Sequence, residues 1–85
     1  MEHHPTLMID GADAAVVGYH MRCGEPMVVV YDHDKLVLHF VQQGMSVEEA
    51  IEHIGINIEG AYLGKGTVAV LNRLTADEIR ELIQQ

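Results

Sequence analysis

Five consecutive residues, Met27-Val28-Val29-Val30-Tyr31, constrain the fold of this chain more than any other part of it. They read as a near-continuous apolar strand, the pattern expected where both faces of a sheet are covered. Pro26 precedes the run and Asp32 follows it. The run is far shorter than the ~20 residues a bilayer crossing needs. No basic segment leads into an apolar run at the N-terminus, so neither a membrane span nor a secretory signal is expected.

The rest of the fold can be read outward from that strand. Ala14 to Met21 is rich in β-branched and aromatic residues around Val16, Val17 and Tyr19 and reads as a strand. Arg22-Cys23-Gly24-Glu25-Pro26 carries turn-forming Gly and Pro, which makes residues 14–31 a β-hairpin. Asp32 suits an N-cap and Gly44 a C′ position for a helix over about 33–43. Ser46-Val47-Glu48-Glu49 is a capping box, in which hydroxyl and carboxylate each satisfy a free backbone N–H. It opens a second helix whose apolar stripe is Val47, Ala50, Ile51, Ile54 and Ile58. Gly55 costs up to ~1 kcal/mol relative to Ala, so the helix is expected to end or distort there.

Gly60, Gly64 and Gly66 then punctuate a loop, and Thr67 to Leu71 forms a third strand. A second capping box, Thr75-Ala76-Asp77-Glu78, leads a short amphipathic helix with Ile79, Leu82 and Ile83 expected inward. The order is β-β-α-α-β-α, an α+β fold: a three-stranded sheet with helices packed on one side. Whether strand 67–71 runs parallel or antiparallel is left open. Residues 1–13 have no sustained period and read as a poorly ordered leader. With 85 residues, the chain makes one domain, 1–85.

Thirteen acids against five bases give a formal charge of −8. Such a surface repels phosphate backbones, because nucleic-acid affinity rests largely on Lys and Arg displacing counterions. Direct nucleic-acid binding is therefore not expected, whereas a basic protein partner would be attracted. Lone Cys23 excludes an intramolecular disulfide framework and fits a reducing, cytoplasmic compartment.

Each candidate chemistry has a plainer reading beside it. Cys23 sits in the hairpin turn with no nucleophile signature around it, so an incidental thiol is favoured over catalysis. His20 and Cys23 are spaced as two metal ligands, and Asp32-His33-Asp34 lies where the second strand ends. A zinc site needs four ligands, or three plus water, and no second pair is recognisable. Met1-Glu2-His3 places a His third from the amino end, a pattern that can hold square-planar Cu(II) or Ni(II), with His4 adjacent. No cofactor is implied.

Gly60-Ala61-Tyr62-Leu63-Gly64-Lys65-Gly66-Thr67 falls short of a P-loop. Only three residues separate its first two glycines, Gly66 follows Lys65, and the context is helix-to-strand. A looser anion contact through Gly60, Gly64, Lys65, Gly66 and Arg22 stays open beside the reading as a plain turn. On the second helix, Glu48, Glu52 and Glu59 fall within a narrow arc at ~100° per residue, with Glu49 beside them. These acids are either a solvated face or a docking face for a basic protein. On the first helix, Leu36, Val37, Leu38, Phe40 and Val41 span about 200°, twice what covering one sheet face needs. The surplus, at Leu38 and Val41, packs under the second helix or forms a self-association surface, most simply a homodimer.

Asp13 to Tyr19, then Val30-Tyr31-Asp32 with Lys35, Gly44 to Ala50, and Asn57 with Gly60-Ala61-Tyr62 and Gly64 resemble a recurrent pattern in small phage and prophage proteins. The likeness covers roughly residues 10–71. The chain departs from it at Ile56, where an aromatic residue is expected, and at Val68, where Pro is expected. The resemblance implies a mobile-element origin and carries no activity with it. Composition and patterning favour non-catalytic protein–protein binding, and the resemblance makes this a small acidic accessory protein of a phage or prophage, for instance an inhibitor of a host factor. A small-molecule or nucleotide-binding oligomer is the main alternative, and a metal-dependent enzyme the lesser one.

Overall fold

The structure, a computed structural model, describes residues 5–84. Its elements are a 3-10 turn Asp13–Ala15, strands β1 (Val16–His20) and β2 (Val28–Asp32), and helices α1 (His33–Gln42) and α2 (Val47–Ile54). A π turn Gly55–Glu59, strand β3 (Ala69–Leu71) and helix α3 (Ala76–Ile83) follow. The fold is α+β with the expected order of elements.

Apolar β2 is the central strand of the three, in the order β1-β2-β3. β1 pairs with it antiparallel, and Val17 is the extra residue of a bulge between the Val16–Tyr31 and Gly18–Val30 pairs. β3 pairs with it parallel, Val30 to Ala69 and Asp32 to Leu71. A parallel connection needs a long crossover, here supplied by α1, α2 and the π turn. β3 is shorter than residues 67–71 because Thr67 is committed to the loop before it. The Thr67 hydroxyl donates to Gly64 O at 2.6 Å and accepts from Leu63 N–H at 2.7 Å.

The core lies between one sheet face and the α1–α2 layer. It is built from Val29 and Tyr31 of β2, Leu36 and Phe40 of α1, and Ala50, Ile54 and Ile58. Asp32 caps α1 by accepting from Lys35 N–H at 3.1 Å. Both capping boxes form, with Ser46–Glu49 opening α2 and Thr75–Glu78 opening α3.

Three expectations need correction. First, part of the leader is tied down. Leu7 N–H donates to Gly66 O at 3.0 Å, Ile9 N–H to the Tyr31 hydroxyl at 2.8 Å, and Ala12 is buried. A segment without period can still be held by backbone bonds and small buried side chains, signals that periodicity does not register. Second, the buried stripe of α2 is Ala50, Ile54 and Ile58, while Val47 and Ile51 are exposed. Third, Ile79, Leu82 and Ile83 do not face inward: no residue of α3 is buried. α1 and α2 cover one sheet face, and α3 packs on neither.

The α-helix does end at Gly55, where the π turn begins. Gly60 N–H donates to Gly55 O at 2.9 Å, the five-residue closure of a π turn. A Cβ on Gly60 would lie 3.0 Å from the carbonyl oxygens of Gly55 and Ile56, so glycine suits that tight closure.

Candidate functional site

The densest polar grouping sits at the carboxyl ends of parallel β2 and β3. A connector leaves β3 there, and α1 begins there. Asp32, His33 and Asp34 line one side of a small cavity of about 120 Å³, and Leu71 to Leu74 line the other. Asp32 is the only buried charged side chain among the described residues, 4 % exposed. Its Oδ1 accepts from Arg73 Nε at 2.7 Å while Oδ2 accepts from Lys35 N–H. Asn72 Nδ2 donates to Glu59 Oε2 at 3.4 Å, and His33 Nε2 lies 4.0 Å from Glu59 Oε1.

The electrostatics follow from these bonds. The Arg73 guanidinium, with the Lys35 N–H second, holds the Asp32 carboxyl below its ordinary 3.8. Lost hydration opposes this only partly. Glu49 and Glu78 are also lowered, each by the backbone N–H of its capping partner. What this grouping does structurally is fasten the start of the α3 connector to the N-terminus of α1.

One consequence is a pH dependence. A carboxyl whose folded pKa is lowered adds stability that is fully present above its unfolded value and is lost as pH falls through the folded value. Arg73→Met should therefore be less stable than wild type at pH 7, and the two thermal midpoints should converge below about pH 4. Melting curves from pH 7 to pH 2 check this. A gap that stays constant into acid would show that the ion pair is not its source.

The structure scatters several of the expected site residues. Glu48 and Glu52 stay exposed on α2, but the carboxylate of Glu49 is used in its capping box. Glu59 leaves the acidic arc, because a π turn takes up one extra residue, a rotation of ~100°. It faces His33 and Asn72 instead. Val41 is half-buried against the core, whereas Leu38 remains 56 % exposed.

The glycine loop is closed by Thr67, whose hydroxyl bridges Gly64 O and Leu63 N–H. With the leader it forms an apolar cavity of about 210 Å³, lined by Leu7, Met8, Ile9, Ile58, Ala61 and Leu63 among others. Gly60 and Gly64 serve turn geometry, Gly66 lies against the backbone of Pro5, and Lys65 is exposed. Arg22, His20 and Cys23 are exposed at the hairpin end. Among the described residues, no three His, Cys, Asp or Glu side chains come together as a metal site. His3 and His4 lie outside the described residues.

The larger feature is apolar. Val28, Val30 and buried Asp32 of β2, with Ala69 and Leu71 of β3, point to the sheet face opposite the core; Val28, Val30 and Ala69 are half-buried there, Leu71 is exposed, and no helix packs on that face. Leu74, Ile79, Leu82 and Ile83 form an exposed apolar stripe on α3 and its lead-in. Leu74, just before the Thr75 N-cap, stands where a hydrophobic staple to Ile79 forms. Sequence periodicity had found the stripe on α3 but not its lack of a partner. None of the described helices is long and apolar enough to cross a membrane.

Comparison with known proteins adds no relative: no protein-family model, curated protein or solved structure matches this chain.

Proposed function

We propose that this protein is a non-catalytic protein-binding module whose binding element is the apolar stripe of α3. The observation that carries this is an amphipathic helix with both caps satisfied and no buried residue. An isolated helix of eight residues is marginal in water, and tertiary packing supplies most helical stability. A helix so well capped, with Ile79, Leu82 and Ile83 open, is suited to docking against another surface. Exposed apolar patches of this kind mark interaction sites.

This moves the docking surface away from the acidic helical face. Glu48 and Glu52 remain available to steer a basic partner, but two exposed carboxylates give rate more than affinity. The resemblance to phage and prophage proteins is consistent with an accessory role in a bacterial cytoplasm, such as inhibition of a host factor. A small-molecule or nucleotide-binding role is the alternative. The apolar cavity at the glycine loop, about 210 Å³, falls below the ~300 Å³ where ligand pockets usually begin. An open recess of about 400 Å³ beside α2 is larger, but it is lined by Glu49, Glu52, His53 and Asn57, an acidic lining that repels phosphate.

The test is binding with surface variants. Ile79→Glu/Leu82→Glu should lose at least tenfold in affinity for whatever the wild type binds, with the core fold retained. Glu48→Lys/Glu52→Lys should keep affinity and lose only the salt sensitivity of association. Equal binding by the α3 variant and wild type would refute the assignment of α3.

A further inference from the structure

We propose that the surface α3 docks onto belongs to a second copy of this chain, each copy laying its α3 across the open face of the other's β2–β3 pair. The inference rests on α3 being the binding element.

The open face itself asks for a cover. All-parallel sheets occur almost only with both faces buried, and a continuous apolar run is the pattern of a strand covered on both sides. β2 has that run and a parallel neighbour, yet Val28 and Val30 look out from the sheet on the side away from α1 and α2. Leu71, beside them on β3, is 42 % exposed. The chain therefore has an apolar sheet face lacking a helix and an apolar helix lacking a face.

Their dimensions agree. Eight residues of α3 are about 12 Å long, and the five residues of β2 span roughly 16 Å. A helix about 10 Å across covers two strands set ~4.8 Å apart.

Within one chain the contact is not made: α3 has no buried residue and does not pack on the sheet. Arg73 is bonded to the buried Asp32 that caps α1, and Asn72 to Glu59 at the end of the π turn. Both anchors hold the connector at the carboxyl ends of β2 and β3, where Asp32 and its register partner Leu71 share a face. A helix left unpacked on its own chain is free to be exchanged between copies.

The exposed area is of the right size. A folded monomer of 9.4 kDa is expected to expose about 5,000 Å², whereas this chain exposes 6336 Å². The surplus, roughly 1,300 Å², is spread over the whole chain and leaves room for the ~800 Å² per partner of a standard stable interface. The radius of gyration, 14.1 Å, likewise exceeds the ~12 Å of a compact chain this long. A reciprocal exchange is two-fold symmetric and closes on itself, so it ends at a dimer.

Light scattering on the full chain and a complementation pair test the proposal. Wild type should have a mass of about 19 kDa at micromolar concentration, twice the chain mass. Ile79→Glu/Leu82→Glu, with a good sheet and a spoiled helix, should be monomeric, and so should Leu71→Glu, with the reverse defect. Both sites are exposed in the single chain, and circular dichroism verifies that each variant is folded. An equimolar mixture should regain a dimer with one chain of each kind, because one intact helix meets one intact sheet. An interface between two α3 helices cannot be restored that way.

A wild type that stays monomeric at every concentration overturns the proposal, as does a dimer that survives either variant. A mixture that stays monomeric overturns the helix-on-sheet arrangement. If a monomeric wild type still binds another protein through α3, only the second copy is wrong; if its α3 variants change no binding, the reading of α3 fails as well.

Discussion

Leu36→Ala and Ile54→Ala should each remove ~2–5 kcal/mol of stability, the range for deleting a large buried aliphatic side chain. Both residues have no exposed surface, and they face each other's helices between α1, α2 and the sheet. An 85-residue domain holds only about 4–13 kcal/mol in total, so either change takes a large share. At ~4–8 °C per kcal/mol for a domain of this size, thermal midpoints should fall by roughly 10–30 °C. Leu38→Ala is the internal control, two residues along the same helix but 56 % exposed. It should shift stability by no more than ~0.5 kcal/mol. Denaturation at one fixed protein concentration makes the comparison, since association would make the midpoint concentration-dependent. Comparable losses at positions 36 and 38 would mean that α1 buries a different face.

Much of this architecture was legible in local chemistry. Asp32, Ser46 and Thr75 are short polar side chains placed before helical patterns, and each forms the cap that its chemistry favours. The apolar run at Met27–Tyr31 identified the strand that is central in the sheet, although a helical layer covers only one of the two faces the run led one to expect covered. What stayed hidden depends on long-range geometry. The wheel drawn for residues 47–59 assumed a regular α-helix, and one π closure at Gly55–Gly60 moved Glu59 to another surface. The same wheel could not tell Ile51 from Ile54, because the apolar arc is wider than the neighbour that covers it. Arg73 and Asp32 are 41 positions apart, and nothing local to either one announces their pairing. The polar grouping at the strand ends was therefore out of reach, although Asp32-His33-Asp34 had been noticed for its possible ligands. For α3, capping and periodicity predicted the helix correctly and misled about its environment, since an amphipathic stripe says only that something should cover it.

The leader offers the second large effect, through Gly66, which the sequence had marked as loop and as a candidate anion contact. Gly66→Ala should destabilise the fold by ~1–3 kcal/mol, the usual cost of forcing extra volume into a packed site. A Cβ at position 66 would lie 2.0 Å from the Pro5 carbonyl oxygen, 2.8 Å from its carbon and 3.0 Å from Thr6 Cα. All three are backbone atoms, so no side-chain rotation relieves the clash, and the leader itself must move. Its moorings are few: Leu7 N–H to Gly66 O, the Thr6 hydroxyl to Met27 O at 2.8 Å, and Ile9 N–H to the Tyr31 hydroxyl. Losing the last of these strips a partner from a hydroxyl on a side chain with no exposed surface, which adds a desolvation cost. Faster amide exchange at Leu7 and Ile9, with β2 still protected, is the expected signature of a leader that has peeled away. Gly55→Ala provides the contrast. Nothing lies within 4 Å of a Cβ there, and the backbone, at φ −61°, is helical. That substitution should stabilise by ~0.4–1 kcal/mol through the unfolded chain's lost freedom. If Gly66→Ala instead matched wild type in stability and in protection at Leu7, the leader would not be held against residue 66.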